Sequence, residues 1–466
     1  MASKTVVVVP GLTLDTEILT KLSGVIHYEE MLLCMLLLLR MPGTKIIYVT
    51  SVPIDEAIID YYLHHIPGIT GMHARNRLVL LNCNDASSKP LTEKILTRPR
   101  LLQQIKTNIS SGLVAHLVAF NVTHLEERLA LELEIPVYGC PSKYSYWGTK
   151  SGSREIFRKA GIPIPDGKEN LGSLDEVVEA LKELKQKNPD LKRAVVKLND
   201  GFSGDGNAIY VYDSEDEISL SNLGKALHVV AKDMSFEVFQ EKFRSMGGVV
   251  EVFIEGEIKN SPSVQCRINP LREVDIISTH DQVLGGESDQ VYIGATFPAH
   301  EDYRSEIGEL GLKVANEMES YWILGRFGID FISVLENGVW SHYAIEINLH
   351  KGGKTHPYLM LQLLTNGRYY YKKGSYEMPN GQTRCYLATD NLISDKLKTL
   401  TPPDLIDIAI CNGLHFDGTT QEGVMFHLIG AISQHGKLGL LCVASTQARA
   451  QELYQKTVDL LHQETS

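Results

Sequence analysis

The sequence predicts an α/β protein with a parallel sheet at its N-terminal end, a strand-rich centre and a small α/β unit at its C-terminal end. Residues 5–140 alternate short apolar runs with helical patterns, which is typical of a parallel sheet covered by helices on both faces. Residues 249–348 contain one strand pattern after another, and residues 371–466 mix both kinds of pattern. The length of 466 residues is sufficient for roughly two to four domains.

Composition restricts the possible partners. The formal net charge is −12 and no tail is rich in lysine or arginine, so a nucleic-acid partner is not expected. The apolar run at residues 31–39 is too short to cross a bilayer, and no basic segment of a signal peptide opens the chain. The seven cysteines include no C-x-x-C pair, which favours reduced thiols over disulfides or a zinc site. We therefore expect a cytoplasmic protein without a membrane partner.

The first unit, residues 1–140, is expected to contain four or five parallel strands. Pro10 and Gly11 follow the first strand, but no G-x-G-x-x-G occurs there, so a dinucleotide site is not supported. The unit is expected to carry part of a substrate pocket or to act as scaffold, since ligands of such sheets bind at the carboxyl ends of the strands. The predicted strands are residues 4–9, 44–50, 77–83, 115–122 and 136–139, and the predicted helices are residues 28–40, 54–64, 92–109 and 123–134.

Two lysines and a glycine-rich turn characterise residues 141–245. Lys150 precedes the predicted helix 154–160, and Lys197 lies on the predicted strand 193–198, directly before the turn. Glycines let the backbone approach a phosphate closely and present N–H groups to it. A hairpin turn would explain the glycines equally well, but Lys197 beside them favours phosphate binding. Lys150, taken alone, is typical of a surface lysine. The turn contains Gly201, Ser203, Gly204 and Gly206.

Three oxygen-bearing side chains stand out in residues 246–370. Asp330 lies on a predicted strand 328–335, and Glu346 and Asn348 end the strand 339–348. Alternate residues of a strand share a face, so Glu346 and Asn348 point the same way. Carboxylate and amide oxygens suit Mg²⁺, which also takes ligands from nucleotide phosphates. A solvent-facing charged edge would give the same pattern, so periodicity alone leaves both readings open.

The order of these features resembles the ATP-grasp superfamily, and most closely the pheganomycin-type peptide ligases, which join a carboxylate to an amine. The resemblance implies an ATP-grasp fold with an N-terminal pre-ATP-grasp domain (1–140), a lid with a glycine-rich flap (141–245), a core with hinge and metal site (246–370) and a small α/β C-terminal domain (371–466). The segments that carry it are residues 36–40, 90–94, 119–123, 146–154, 261–265, 278–286 and 346–349.

The resemblance also implies an ATP site. Lys150 and Lys197 would hold the α- and β-phosphates, and residues 201–206 would form the flap. The backbone of residues 251–254 would read the adenine edge, with Glu257 near the ribose. Glu241-Lys242-Phe243 is a rival hinge, although its surroundings have a helical pattern. The predicted hinge residues are Glu251, Val252, Phe253 and Ile254.

The resemblance also implies which residues bind the metal ion, the γ-phosphate and the substrate. Asp330, Glu346 and Asn348 would hold Mg²⁺, and Arg267 would face the γ-phosphate or the oxyanion that develops during reaction. His350 stands where the family commonly has an arginine, so the charge there is expected to depend on pH near neutrality. The residues expected to contact substrate are His280, Asp281, His350, Lys351 and Lys354.

The implied activity is an ATP-dependent carboxylate–amine ligase that works through an acylphosphate and releases ADP and phosphate. Its cofactors would be ATP and Mg²⁺, and its substrates a small carboxylate and the amine of an amino acid or peptide. The sequence leaves the oligomeric state open, with a homodimer as one candidate. The alternatives are a small-molecule kinase that uses the same ATP site and a non-catalytic ATP-binding module. The full set of metal ligands argues against the latter, and dependence of ADP release on an amine separates the first two.

Overall fold

Three sheets position the candidate site in the computed structural model, which describes residues 4–14, 19–20, 23–109, 114–201, 206–212, 217–231, 234–285 and 291–465. They contain four, five and nine strands, and a two-stranded ribbon accompanies them in the described residues. The α/β class is thereby confirmed.

The first sheet is parallel, as predicted, with strand order β3-β2-β1-β4. Its central strands are runs of β-branched and other apolar residues that are almost fully buried, because helices cover both faces. The predicted fifth strand is reduced to one parallel bridge between Leu117 and Val137. The strands are β1 (Lys4–Val9), β2 (Thr44–Thr50), β3 (Leu78–Asn82) and β4 (Val114–Ala119).

The helices of this first unit follow the prediction with three differences. The short helix Gly71–Arg75 was not predicted, the predicted helix 28–40 is a 3₁₀ helix, and the predicted helix 92–109 is two helices. Pro99 explains the break, because proline lacks an amide hydrogen and disfavours helical backbone at the preceding Arg98. The segments are the 3₁₀ helix Val25–Arg40 and the helices Glu56–His64, Gly71–Arg75, Leu91–Leu96, Pro99–Asn108 and His124–Leu133.

The second sheet is antiparallel with strand order β5-β9-β6-β7-β8. Its strand β9, which carries Glu251, lies between β5 and β6, so this strand belongs to the lid rather than to the core, contrary to expectation. The strands are β5 (Gly167–Leu171), β6 (Arg193–Leu198), β7 (Asn207–Val211), β8 (Leu227–Val229) and β9 (Gly248–Val252), and the helices are Leu174–Lys187, Leu220–Ala226 and Phe236–Met246. The rival hinge at residues 241–243 is inside the last of these helices.

The third sheet has strand order β10-β14-β11-β12-β13-β18-β20-β19, with β15 paired to β14. Strands of the C-terminal unit join β13, so this sheet continues across the predicted boundary at residue 371. The strands are β10 (Ile258–Asn260), β11 (Pro262–Ile268), β12 (Val274–Gly285), β13 (Val291–Phe297), β14 (Gly325–Glu336), β15 (Val339–Asn348), β18 (Cys385–Ile393), β19 (Gly423–His427) and β20 (Lys437–Ala444), and the ribbon is β16 (Arg368–Tyr370) with β17 (Ser375–Glu377).

Helices border the third sheet and close the C-terminal unit, which combines strands and helices as predicted. The α-helices are Lys150–Lys159, Arg304–Ser320, Thr355–Thr365, Pro402–Cys411, Ile432–His435 and Gln447–Glu464, and the 3₁₀ segments are Ser142–Gly148, Asp395–Thr399 and Ile429–Ala431.

The N-terminal unit and the third sheet share one hydrophobic core, which contains Leu36 and Tyr62 from the first unit together with Met360 and Leu441. This packing brings the chain that follows β15 to the carboxyl end of β4, where the Lys351 amide donates to the Phe120 carbonyl at 3.1 Å. Within the described ranges no helix is long and apolar enough to span a membrane, and all seven cysteines are free thiols.

Candidate active site

The three predicted metal donors converge on one face of the β14–β15 pair. Asp330 lies directly opposite Glu346, and Gly328 lies opposite Asn348. The Asn348 Nδ2 is 3.0 Å from Asp330 Oδ2 and 3.4 Å from Glu346 Oε1.

The turn that joins these strands and a β-bulge beside Asp330 together explain their register. Asn337 and Gly338 both have positive φ, at 51° and 78°, which is the backbone of a two-residue Asn-Gly hairpin turn. This turn sets the pairing from Glu336 opposite Val339 to Phe331 opposite Ala344. A β-bulge beside Asp330 then shifts the register by one residue, which brings Glu346 rather than Ile345 opposite Asp330.

The chemistry of this donor set fits Mg²⁺. Asp330 and Glu346 are partly accessible, with 18% and 23% of their side chains exposed. Lys354 Nζ lies 3.2 Å from Asp330 Oδ1, and Lys150 pairs with Glu346, so cations already offset both carboxylates. In the part of the chain that the structure describes, no group of three His, Cys, Asp or Glu residues converges. An ion held here would therefore complete its shell with water or phosphate oxygens, as Mg²⁺ usually does.

Lys150 is a half-buried site residue rather than a surface lysine, with 15% of its side chain exposed. It begins the helix Lys150–Lys159, which Thr149 caps by accepting the Gly152 amide at 3.0 Å. Gly152 is required at this start, because a Cβ there would lie 2.0 Å from the Tyr146 carbonyl oxygen. Burial, and then the neighbouring charge of Lys197, lowers the pKa of Lys150 to about 8.

Lys197 reaches the site through a buried ion network that the sequence did not reveal. Its Nζ lies 2.5 Å from Glu251 Oε2, and Arg154 binds the other oxygen of Glu251 at 2.6 Å. Arg154 also contacts Glu169 at 3.0 Å. Burial alone would raise the pKa of Glu251, but Lys197 and Arg154 more than offset this and hold it below its ordinary value. The Glu251 side chain therefore anchors Lys197.

Asn199 is a second residue that the sequence analysis missed. Its backbone carbonyl accepts the Lys150 amide at 3.0 Å, and its Oδ1 accepts the Ser151 amide at 3.0 Å. Its Nδ2 donates to the Met246 carbonyl at 2.9 Å. Asn199 thus fixes the end of β6 against the start of the helix that carries Lys150. These partners are 47 and 48 residues away along the chain, so no local signal could have identified them.

The predicted flap is only partly within the described residues, since Ser203 and Gly204 lie outside them. Gly201 and Gly206 approach each other so closely that a Cβ on Gly201 would lie 3.3 Å from the Gly206 Cα. The Leu198 amide donates to the Gly206 carbonyl at 2.8 Å, which closes the turn between β6 and β7. Phosphate binding by this turn stays a prediction.

The predicted adenine hinge begins at the end of β9, an inner strand of the lid sheet. The amide of Val252 donates to the Asp166 carbonyl at 2.8 Å, and that of Phe253 donates to the Arg193 carbonyl at 3.2 Å. These two amides are thus used within the protein, so base recognition would fall to the chain from Ile254 onward. Glu257 is exposed in this connection. The hinge and ribose roles stay predictions.

The structure does not bring Arg267 into contact with the metal donors. On β11 it is Ser263, four residues earlier, that lies opposite Asp330, and four residues of strand span about 13 Å. Arg267 instead contacts Asp275, with 2.6 Å between its guanidinium and Oδ2. Sequence order could not give this result, because it depends on strand register.

Of the predicted substrate residues, Asp281 is on the wrong face. Its carboxylate accepts the His300 amide at 2.7 Å and the Tyr303 hydroxyl at 2.6 Å, on the side of the sheet away from the metal donors. His280 shares the face of Asp330, since both lie opposite Ser263. It is fully buried, with Nε2 2.7 Å from the Tyr386 hydroxyl.

The chain after β15 places His350, Lys351 and Lys354 around the site. His350 Nδ1 lies 2.6 Å from the Lys351 carbonyl. Desolvation by the surrounding protein, followed by the nearby lysine charges, lowers the pKa of His350 below its ordinary 6.5, although the residue is exposed to solvent. The pH dependence of its charge near neutrality stays a prediction.

Comparisons with known proteins place this geometry in a family. Residues 141–215 and 216–371 match the family described as "IQCH-like, ATP-grasp", and residues 404–457 match the "PGM1 C-terminal domain". A curated relative, L-propargylglycine–L-glutamate ligase of Streptantibioticus cattleyicolor, is 29% identical over 432 residues, which cover 91% of this chain and 87% of the relative. IQ motif-containing protein H of Danio rerio is 23% identical over all of this chain, which spans about half (49%) of that relative's length.

A solved structure gives the same answer for the fold. The biotin carboxylase of Campylobacter jejuni, in a β-γ-ATP complex, superimposes with a TM-score of 0.60 at 14% identity and covers 98% of this chain and 90% of its own. The predicted resemblance is therefore confirmed. With its lid, core and C-terminal segment matched in order, the chain belongs to the ATP-grasp superfamily.

Proposed function

We propose that the protein is an ATP-dependent ligase that joins a carboxylate to an amine through an acylphosphate and releases ADP and phosphate. The observation that carries this is that Lys150 pairs with Glu346, beside Asp330 and Asn348 on one face of the core sheet, while Lys197 is near enough for its charge to act on Lys150. Cations beside hard-metal donors are the parts that phosphoryl transfer requires.

The relatives support the type of reaction and the substrate class. The name of the Streptantibioticus enzyme gives two amino acids as the molecules that it joins, so an amino-acid carboxylate and an amino-acid amine are proposed for this chain. The biotin carboxylase complex contains an ATP species, in agreement with ATP as the nucleotide here.

Each group has a role in the proposed reaction. Lys150 and Lys197 bind the inner phosphates, and the ammonium of Lys150 leaves Glu346 as it does so. Asp330, Glu346 and Asn348 would then hold Mg²⁺, which offsets negative charge on the transferring phosphoryl group. A carboxylate oxygen of the substrate attacks the γ-phosphorus and ADP departs. The amine then attacks the carbonyl carbon of the acylphosphate, loses a proton, and phosphate leaves.

The test is ADP release from MgATP across a panel of L-amino acids and dipeptides, in pairs and singly. The proposal expects release that depends on both a carboxylate and an amine, with a new amide bond in the product. ADP release without an amine and with a phosphorylated product would indicate the kinase alternative. ATP binding without ADP release, whichever pair of amino acids or dipeptides is added, would indicate a non-catalytic module.

We also propose the cytoplasm as the location, because seven free thiols, six of them buried, are typical of a reducing compartment. Small-molecule substrates are the proposed partners. The homodimer stays a prediction, and gel filtration with light scattering tests it.

A further inference from the structure

Two basic side chains outside the ATP site, one half-buried and one buried, contact no acidic side chain among the described residues. Arg326 on β14 lies directly opposite Arg267 on β11, and like charges in that position repel each other. Asp275 compensates Arg267 at 2.6 Å. Arg326 contacts no carboxylate among the described residues.

Lys351 is the second such side chain. Asn348, at the end of β15, lies opposite Gly328, so the chain that follows runs past Arg326. The Lys351 Nζ donates to the Ala119 carbonyl, and the residue is 8% exposed. Across the described ranges it has no acidic partner, and burial, followed by the charge of Arg326, lowers its pKa to about 8.

The position of this pair relates it to the reacting centre. Arg326, Gly328 and Asp330 alternate along β14, so Arg326 is on the face of the metal donors. It lies about 7 Å along the strand from Gly328, opposite Asn348, and about 13 Å from Asp330. The extended side chains of Arg326 and Lys351 can cover much of the distance between Arg326 and Asp330. The distance that remains corresponds to the length of one amino acid. The hydrogen bond from Lys351 to the Ala119 carbonyl also places the pair at the carboxyl end of β4. Parallel sheets bind their ligands at the carboxyl ends of their strands.

We propose that Arg326 and Lys351 bind a carboxylate that takes no part in the reaction, so that one of the two joined molecules carries a free carboxylate besides the activated one. This proposal rests on the proposed ligase function. A buried cation is costly without a counter-charge, and a guanidinium forms two parallel hydrogen bonds to a carboxylate. The incoming carboxylate supplies the missing negative charge and orients the substrate toward the metal donors.

The test is calorimetric binding in the presence of MgAMPPNP, with L-alanine, L-alaninamide, L-glutamate and L-glutamine as probes. The wild-type protein should bind at least one acid more tightly than its amide. Arg326→Gln should lower that affinity roughly 10- to 100-fold, the usual effect of losing hydrogen bonds to a charged group, and should abolish the preference for the acid. Arg326→Lys should restore part of it, and Arg100→Gln, a change at an exposed arginine, should have no effect.

Two results would overturn the proposal: equal loss of acid and amide binding in Arg326→Gln, or no binding of any acid by the wild-type protein at millimolar concentration. A lower thermal midpoint of ligand-free Arg326→Gln would also overturn it, because it would make Arg326 a structural residue. ADP release measured on the same samples separates the two proposals. Acid binding that depends on Arg326 but occurs without ADP release would support this subsite and contradict the ligase function. ADP release that is unchanged in Arg326→Gln would support the ligase function and contradict this subsite.

Discussion

Lys197 and Glu251 form an ion pair in which Nζ and Oε2 are 2.5 Å apart and both side chains are at least 92% buried. Arg154 holds the second oxygen of Glu251 at 2.6 Å. The carboxylate is thus shared between a structural arginine and a lysine that points toward the proposed phosphate site. This arrangement fixes Lys197 before ATP arrives, which reduces the entropy cost of binding.

Removing the Lys197 ammonium should weaken nucleotide binding. Lys197→Ala is expected to lower the affinity for MgATP roughly 10- to 100-fold, because a charged hydrogen bond to phosphate is lost. Calorimetry measures this effect directly. The control is Lys192→Ala, an exposed lysine next to the same strand, which should bind MgATP as the wild type does. Unchanged affinity in Lys197→Ala would remove the phosphate role.

The same network should be important for stability. Glu251→Gln leaves Arg154 and Lys197 buried without their shared carboxylate, and breaking a buried ion pair in this way costs about 3–5 kcal/mol of unfolding free energy. The matched control is Glu255→Gln, whose partner Arg193 is exposed, and which should cost less than about 1 kcal/mol. Urea unfolding compares the two. Similar stability losses would mean that the buried network is no more important than a surface pair.

Glu346 should be required for turnover and not for folding. Glu346→Gln keeps the size of the side chain but removes a charge next to Lys150 and Asp330. We expect a wild-type thermal midpoint, with ADP release lost at ordinary Mg²⁺ concentration and partly regained when Mg²⁺ is raised. Chelation of Mg²⁺ should stop the wild-type enzyme as well. Normal turnover in the variant would show that this face is not the metal site.

Nucleotide affinity should decrease with rising pH. Burial and Lys197 lower the pKa of Lys150 to about 8, and the charged form is the one that binds phosphate. The affinity for nucleotide is therefore highest below about pH 8 and decreases as the pH rises through that value. Lys150→Arg should flatten the profile, because a guanidinium keeps its proton. Calorimetric titrations from about pH 7 to about pH 9.5 test this, and a wild-type profile as flat as that of the variant contradicts it.

Local patterns were sufficient to identify several parts of the site. Continuous β-branched runs predicted β1 and β2 with the observed bounds, and the alternation of Glu346 and Asn348 predicted their shared face. Contacts distant in sequence were not predictable in this way. Arg154 meets Glu251 across 97 residues, and Asn199 meets Ser151 across 48.

Strand register explains the remaining differences. Whether Arg267 lies beside Asp330 or about 13 Å away depends on how β11 pairs with β14, and a sequence pattern does not specify that pairing. The same applies to Asp281, whose face is set by its neighbours on β11 and β13. The pKa of His350 depends on desolvation and on the charges of Asp330, Lys351 and Lys150 around it, whose placement a local sequence pattern does not specify.

The central claim is that a carboxylate is activated by phosphorylation. Hydroxylamine in place of the amine tests it most directly, using the amino-acid carboxylate that gives the fastest ADP release. We predict a hydroxamate formed in equal amount with ADP and phosphate, and its loss in Glu346→Gln. AMP and pyrophosphate in equal amount with the hydroxamate would contradict the account, because they would mean activation at the α-phosphate, the end of ATP that Lys150 and Lys197 are proposed to bind.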